Sequence, residues 1–140
     1  MLEISEKKAE AGALNGLSLA FIGDSVFEIL VREYLLEHGS QPVGKLHSMA
    51  VRIVNASAQA RFFDLLEPLL SEEETAILHR GRNASATHVP KGAYAIEYRK
   101  ATGIEALFGW LYLEGQNERI RELFAVILEY ITQEENDSHE

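Results

Sequence analysis

An all-α fold is predicted for this 140-residue chain by three features of its sequence. Apolar residues recur at three- and four-residue spacing through nearly every segment, no stretch alternates in the manner of a half-buried strand, and the breaks carry helix-end signals. With 46% hydrophobic residues, the chain can bury one good core and has little room for a second domain.

Residues 17 to 38 read as the first helix. Its first half is apolar around most of the circumference (Leu17, Leu19, Phe21, Ile22, Val26, Phe27, Ile29, Leu30), and Gly39 suits a C-terminal cap. A helix apolar on every side is buried on every side, so this one is either central or covered on its second face by another subunit. Pro42 fits a first helical turn behind Ser40 as a cap, and Val43, Leu46, Met49 and Ile53 follow at helical spacing. Asn55 and Ser57 mark a break or restart. Ser71-Glu72-Glu73-Glu74 is a capping box opening a helix that runs to about Arg80. Gly81 to Gly92 is polar, holds Pro90 and lacks periodicity, and so forms the one substantial loop. Two amphipathic helices, from about 94 to 113 and 117 to 133, flank Glu114-Gly115-Gln116. The domain therefore spans 14–133, with residues 1–13 as an N-terminal extension and 134–140 as a frayed acidic tail.

The net charge is −9, which by itself disfavours a nucleic-acid partner, yet the charge is unevenly spread. Glu134, Glu135, Asp137 and Glu140 crowd the C-terminus. His38 to Phe63 contains no acid but has Lys45, Arg52 and Arg61; from His79 to Lys100, Arg80, Arg82, Lys91, Arg99 and Lys100 face only Glu97. The middle is locally cationic. Cysteine is absent, which excludes disulfides, thiolate zinc sites and a cysteine nucleophile. The five histidines show no ligand-spaced pair on one helix, and neither a phosphate loop nor a nucleophile elbow is present. No run is long enough to span a bilayer and the start lacks a signal-peptide layout, so the chain reads as soluble and cytoplasmic. Phe62, Phe63, Phe108, Trp110, Tyr112 and Phe124 lie in amphipathic helices and read as core.

Two acids stand apart. Asp24 sits in Leu19-Ala20-Phe21-Ile22-Gly23-Asp24-Ser25 and Glu105 in Gly103-Ile104-Glu105-Ala106-Leu107-Phe108-Gly109-Trp110, each the single carboxylate among apolar and small residues. Burying an unpartnered carboxylate costs roughly several kcal/mol, so a cation, a donor network or a raised pKa must compensate. Ala20 lies a turn before Asp24, and Ala101 and Gly109 flank Glu105 by one turn each way, leaving room for a ligand to approach. Oxygen-only donors suit Mg²⁺ or Mn²⁺. The competing reading pairs Asp24 with Arg52 or Arg99. Glu28, one turn beyond Asp24, is either an extra ligand or a solvated or paired acid.

These stretches resemble the two acidic motifs of the ribonuclease III catalytic domain, and the likeness runs from about Leu14 to Leu128. Leu14-Asn15-Gly16-Leu17, Arg52-Ile53-Val54-Asn55-Ala56, Leu78-His79-Arg80-Gly81-Arg82-Asn83-Ala84 and Tyr98-Arg99-Lys100-Ala101-Thr102 resemble the short branch that lacks a double-stranded-RNA-binding domain. The resemblance implies a two-fold homodimeric, Mg²⁺-dependent endonuclease (Mn²⁺ substituting) that hydrolyses double-stranded RNA to 5′-phosphate and 3′-hydroxyl ends. It further implies maturation of precursor 23S rRNA, with a ribosomal protein as a candidate helper. Asp24 and Glu105 take the positions of catalytic, metal-binding acids; Phe21, with Ile22 and Val26 beside it, matches the packing into a partner subunit. Where longer members carry further carboxylates, this chain has Leu17, Ala20 and Thr102. Arg52, Arg80, Arg82, Asn83, Lys91, Arg99 and Lys100 are the candidates for RNA contact. The alternatives are a non-catalytic double-stranded-RNA-binding protein of this fold and a helical interaction protein whose acids are paired internally.

Overall fold

The computed structural model describes residues 10–84 and 92–137, and every regular element among them is helical. A single 3₁₀ turn at Ala11–Ala13 precedes α1 (Gly16–Leu36), α2 (Val43–Val54) and α3 (Ala56–Leu66). A second 3₁₀ turn (Glu67–Leu69) then leads to α4 (Glu72–Arg82), α5 (Ala93–Leu113) and α6 (Asn117–Asp137). The all-α expectation holds, and the helix boundaries move in instructive ways. Asn15 caps α1 by accepting from the Ser18 amide at 2.8 Å. At its other end α1 stops at Leu36, and Gly39 turns the chain away with φ +89°, two residues beyond the Glu37 cap. Pro42, not Ser40, occupies the N-cap of α2, without a side-chain cap bond.

Asn55 accounts for the break between α2 and α3. Its carbonyl oxygen accepts from the Ala58 amide at 2.8 Å while its amide nitrogen donates to the Val51 carbonyl at 2.9 Å, so one side chain closes the first helix and opens the second. The capping box at Ser71 and Glu74 forms as read from the sequence. α4, however, continues to Arg82, so Gly81 and Arg82 belong to a helix; residues 85–91 of the expected loop, Lys91 included, lie outside the described residues. The end of the N-terminal extension is not loose, since Ala11 is buried in the core, and α6 carries Glu134, Glu135 and Asp137 as exposed helical residues.

α5 is the axis of the molecule, packed by α1 on one side and by α3 and α4 on another. Its middle, Ile104 to Leu111, is buried apart from Glu105, as expected of a helix enclosed by neighbours. Phe27 of α1 lies at the centre of an aromatic group, with ring centroids 5.5 Å from Phe108, 6.0 Å from Phe124 and 6.2 Å from Phe62. α6 closes the core with Ile120, Leu123, Phe124 and Ile127, spaced three and four apart. The aromatics read as core are buried, with Tyr112 partly so.

One ion pair ties the base of α4 to α6. Glu74, only 5% exposed, takes two hydrogen bonds from Arg119, each 2.8 Å, and Arg119 also donates to the Leu69 carbonyl at 3.1 Å. The Arg119 hydrogen bonds, helped by the capping bonds from Ser71, hold the Glu74 carboxyl below its usual range despite its burial. Removing the guanidinium would strand a buried carboxylate. Arg119→Ala should therefore lower stability by about 3 kcal/mol in urea denaturation at neutral pH. Because the folded Glu74 is the stronger acid, the pair's contribution is complete above the ordinary carboxylate range and is lost as pH falls through the depressed value.

Candidate functional site

Asp24 and Glu105 are brought together by the crossing of α1 and α5, and glycines make that crossing. A Cβ built at Gly23 would overlap the Glu105 carbonyl oxygen, and one built at Gly109 would overlap the Leu19 carbonyl oxygen and stand 2.9 Å from the Gly23 nitrogen. Only hydrogen at both positions lets the two backbones touch. Asp24 follows Gly23 directly and Glu105 lies one turn before Gly109, so this contact sets the two carboxyls side by side. Ala20 and Ala101, one turn from Asp24 and from Glu105 respectively, are both buried.

The two acids differ in environment. Asp24 is exposed, whereas Glu105 is largely withdrawn from solvent. Burial first, then a hydrogen bond to Asp24 and the charge of Asp24, push the Glu105 carboxyl up to about 8. Near neutral pH Glu105 thus keeps its proton, and a cation would relieve the same repulsion. Neither Arg52 nor Arg99 is paired with Asp24 among the described residues, which removes the internally paired reading. Glu28 is a paired acid, holding Arg32 at 3.1 Å across one helical turn.

No cluster of three or more metal-ligating side chains occurs among the described residues. Leu17 and Ala20 supply no oxygen ligand, and the Thr102 hydroxyl is turned back to donate to the Tyr98 carbonyl at 3.0 Å. Among the described residues the crossing therefore offers two carboxylates, Asp24 and Glu105. That donor set fits a hard divalent ion such as Mg²⁺, which commonly takes one or two carboxylates and leaves its remaining positions to water and substrate oxygens. It does not fit zinc, which prefers nitrogen and sulfur.

The cationic candidates divide into two sorts. Arg80, Arg99 and Arg52 are exposed, and Arg80 also reaches back to the Leu14 carbonyl at 3.2 Å. Arg82 and Lys100 are instead committed to the fold. Their charged ends lie 5.8 and 5.5 Å from the centroid of the buried Phe63 ring; Lys100 also holds Asp64 at 2.7 Å, and Arg82 donates to the exposed Asn83 at 3.1 Å. His79 stacks on the same ring and contacts Glu67 at 2.6 Å. Arg52 lies elsewhere, in a groove it shares with Arg61 and the acids Glu134, Glu135 and Asp137. Phosphate contact by Arg52 would have to compete with those acids.

The three candidate interface residues also separate. Phe21 is 84% exposed and Ile22 partly buried, but Val26 is 4% exposed and belongs to the protomer's own core. Val26 is thus not offered to a partner: a turn and a half along α1 from Phe21, it faces inward.

Comparisons with known proteins agree on the fold. The family model of the ribonuclease III domain matches residues 17–116. The Mini-ribonuclease 3 of Symbiobacterium thermophilum is 46% identical over 115 residues, 82% of this chain and 88% of that protein. That of a Thermoanaerobacter species is 42% identical over 132 residues, 93% of each. An X-ray crystal structure of a Fusobacterium nucleatum protein superposes with a TM-score of 0.78 at 30% identity, covering 86% of this chain and 99% of that one.

Proposed function

The chain belongs to the ribonuclease III domain family, and on that premise we propose that it cuts duplex RNA at Asp24 and Glu105, which together hold a Mg²⁺ ion that Mn²⁺ can replace. The chain is an endoribonuclease of the ribonuclease III type, and double-stranded RNA is its substrate class. One observation carries the assignment of the site: two carboxyls converge at a backbone-to-backbone crossing, one exposed and one kept protonated by burial and by its neighbour. A bound Mg²⁺ would supply Lewis acidity that readies a water for attack and offsets charge developing on the phosphodiester.

The residues divide the work. Asp24 presents its oxygens at the surface, where a scissile phosphate can approach. Glu105 would hold the cation in its carboxylate form, and its position is fixed by the helix crossing behind it. Arg80 and Arg99, exposed and free of acid partners among the described residues, are assigned to phosphates of the duplex. Arg82 and Lys100 shape the surface on which Asn83 and Arg99 stand. Phe21, with Leu17 one turn earlier on α1, forms an exposed apolar face that we assign to a two-fold partner. The natural duplex that follows from the resemblance is that of precursor 23S rRNA, cut in the cytoplasm to 5′-phosphate and 3′-hydroxyl ends, with a ribosomal protein as the candidate helper.

Incubating the purified protein with a long RNA duplex tests the reading. Cuts are expected in Mg²⁺ or Mn²⁺ and none in EDTA, and sedimentation of the same sample should give a dimer. Cleavage that persists in EDTA overturns the metal; binding without cleavage at any divalent concentration overturns the enzyme in favour of a binding protein. A monomer overturns the two-fold arrangement.

A further inference from the structure

One row of α5 runs from the acid pair to two exposed tyrosines. Residues seven and eleven positions apart on a helix fall within about 20° of the same direction, so Glu105, Tyr98 and Tyr94 stand in line, with Ala101 between Glu105 and Tyr98. Along the helix axis Tyr98 lies about 10 Å and Tyr94 about 16 Å from Glu105. From Ala101 outward, exposure rises along this row. Ala101 is buried at 5%, Tyr98 is 38% exposed and Tyr94 72%, so the row emerges from beneath α1 into solvent as it leaves the acids.

Neither tyrosine serves the core of this protomer. The aromatic group around Phe27 excludes both, and the fold uses Tyr98 through its backbone carbonyl, which accepts the Thr102 hydroxyl. Beside the row stands Arg99, exposed, while Lys100 turns to the other face of α5, where it holds Asp64. An aromatic body with a hydroxyl tip, next to the Arg99 cation and in line with a phosphodiester site, matches the outer surface of an A-form duplex. Its wide, shallow minor groove presents ribose faces and 2′-hydroxyls, which a phenol can pack against and hydrogen-bond.

We propose that Tyr98, with Tyr94 beyond it, is a positioning ledge that takes the ribose 2′-hydroxyl edge of the duplex beside the scissile phosphate and so selects RNA over DNA. The proposal rests on the nuclease reading of Asp24 and Glu105 and adds a substrate-reading role to residues outside that pair. Tyr98 touches neither the cation nor the attacking water; it acts on where the strand lies.

Steady-state cleavage of a defined RNA duplex by wild type, Tyr98→Phe, Tyr98→Ala and Tyr94→Ala provides the test, alongside the same duplex with 2′-deoxy sugars near the cut. Loss of one hydrogen bond predicts that Tyr98→Phe raises KM about three- to tenfold with kcat nearly unchanged, and that Tyr98→Ala raises it further. On the 2′-deoxy duplex, wild type and Tyr98→Phe should converge, because the partner hydroxyl is already missing. Equal KM values for wild type and both Tyr98 variants on all-RNA duplex overturn the ledge while leaving the acid pair in place. So does a Tyr98→Ala protein that becomes monomeric in sedimentation, which would make the row a subunit contact. A wild type that cuts no duplex in Mg²⁺ or Mn²⁺ overturns the nuclease reading and takes the ledge with it.

Discussion

Asp24→Asn and Glu105→Gln should each slow cleavage of duplex RNA about a thousandfold or more, while helicity by circular dichroism stays at the wild-type level. Each change keeps the size of the side chain and removes one of two carboxylates. A bound metal contributes several kcal/mol to the transition state, and each 1.36 kcal/mol, roughly, is a factor of ten in rate. Retained cleavage in either variant would sink the assignment. A pH signature accompanies the loss. Glu105 holds its proton up to about 8, so cation and proton compete for it, and the Mn²⁺ concentration needed for half-maximal activity should rise about tenfold per unit as pH falls below that value. In the cation-free protein the sign is the reverse of the Glu74 case. The folded state holds a proton that the unfolded chain gives up in the ordinary carboxylate range, so stability falls as pH rises from there toward about 8, and Glu105→Gln should flatten that decline.

Gly109→Ala and Gly23→Ala are expected to be the most damaging single-methyl changes in the molecule. The added carbon would meet backbone carbonyls, of Leu19 in one case and Glu105 in the other, and backbone cannot rotate out of the way as a side chain can. Overpacking of this kind costs about 3 kcal/mol or more, measurable in urea, and a displacement of about 1 Å between the acids would cost further in rate. Gly44→Ala is the control. It lies in α2 with open space around its Cβ position, so alanine there should be neutral or add a few tenths to about 1 kcal/mol through helix propensity. Wild-type stability and activity in Gly109→Ala would mean that α1 and α5 do not meet as described.

Much of this architecture was legible in the residues, and the parts that were not share a cause. Local signals are carried by neighbours in sequence: the Ser71 capping box, the break at Asn55 and the amphipathic register of α6 all formed where the pattern placed them. So did the isolation of Asp24 and Glu105 among small residues, and the resemblance to the ribonuclease III domain rested on those same stretches. What escaped the sequence depends on contacts far apart along the chain. Gly81 and Arg82 look like loop residues locally, yet packing against α5 carries α4 through them. Arg82 and Lys100 look like solvated cations until Phe63 lies beneath both. Val26 is one of many apolar residues on a helix that seemed apolar all round, and only the folded protomer shows which of them face outward. The Glu74–Arg119 pair, 45 residues apart, left no trace in spacing. The four- and seven-residue intervals that align Tyr94 and Tyr98 with Glu105 are visible in the sequence, but their exposure is set by the fold.

The meeting of main chains behind Asp24 and Glu105 has a further consequence for how such a catalyst can be altered. Since no side-chain volume intervenes, the gap between the two acids is a ruler cut in peptide units, and no choice of residue elsewhere lengthens or shortens it. Engineers could recolour the rest of the exterior, redirecting which duplexes are favoured or how tightly copies associate, without recalibrating the reacting centre. Conversely, nudging those acids apart to retune metal preference means altering Gly23 or Gly109, and so giving up the contact that holds the two helices together.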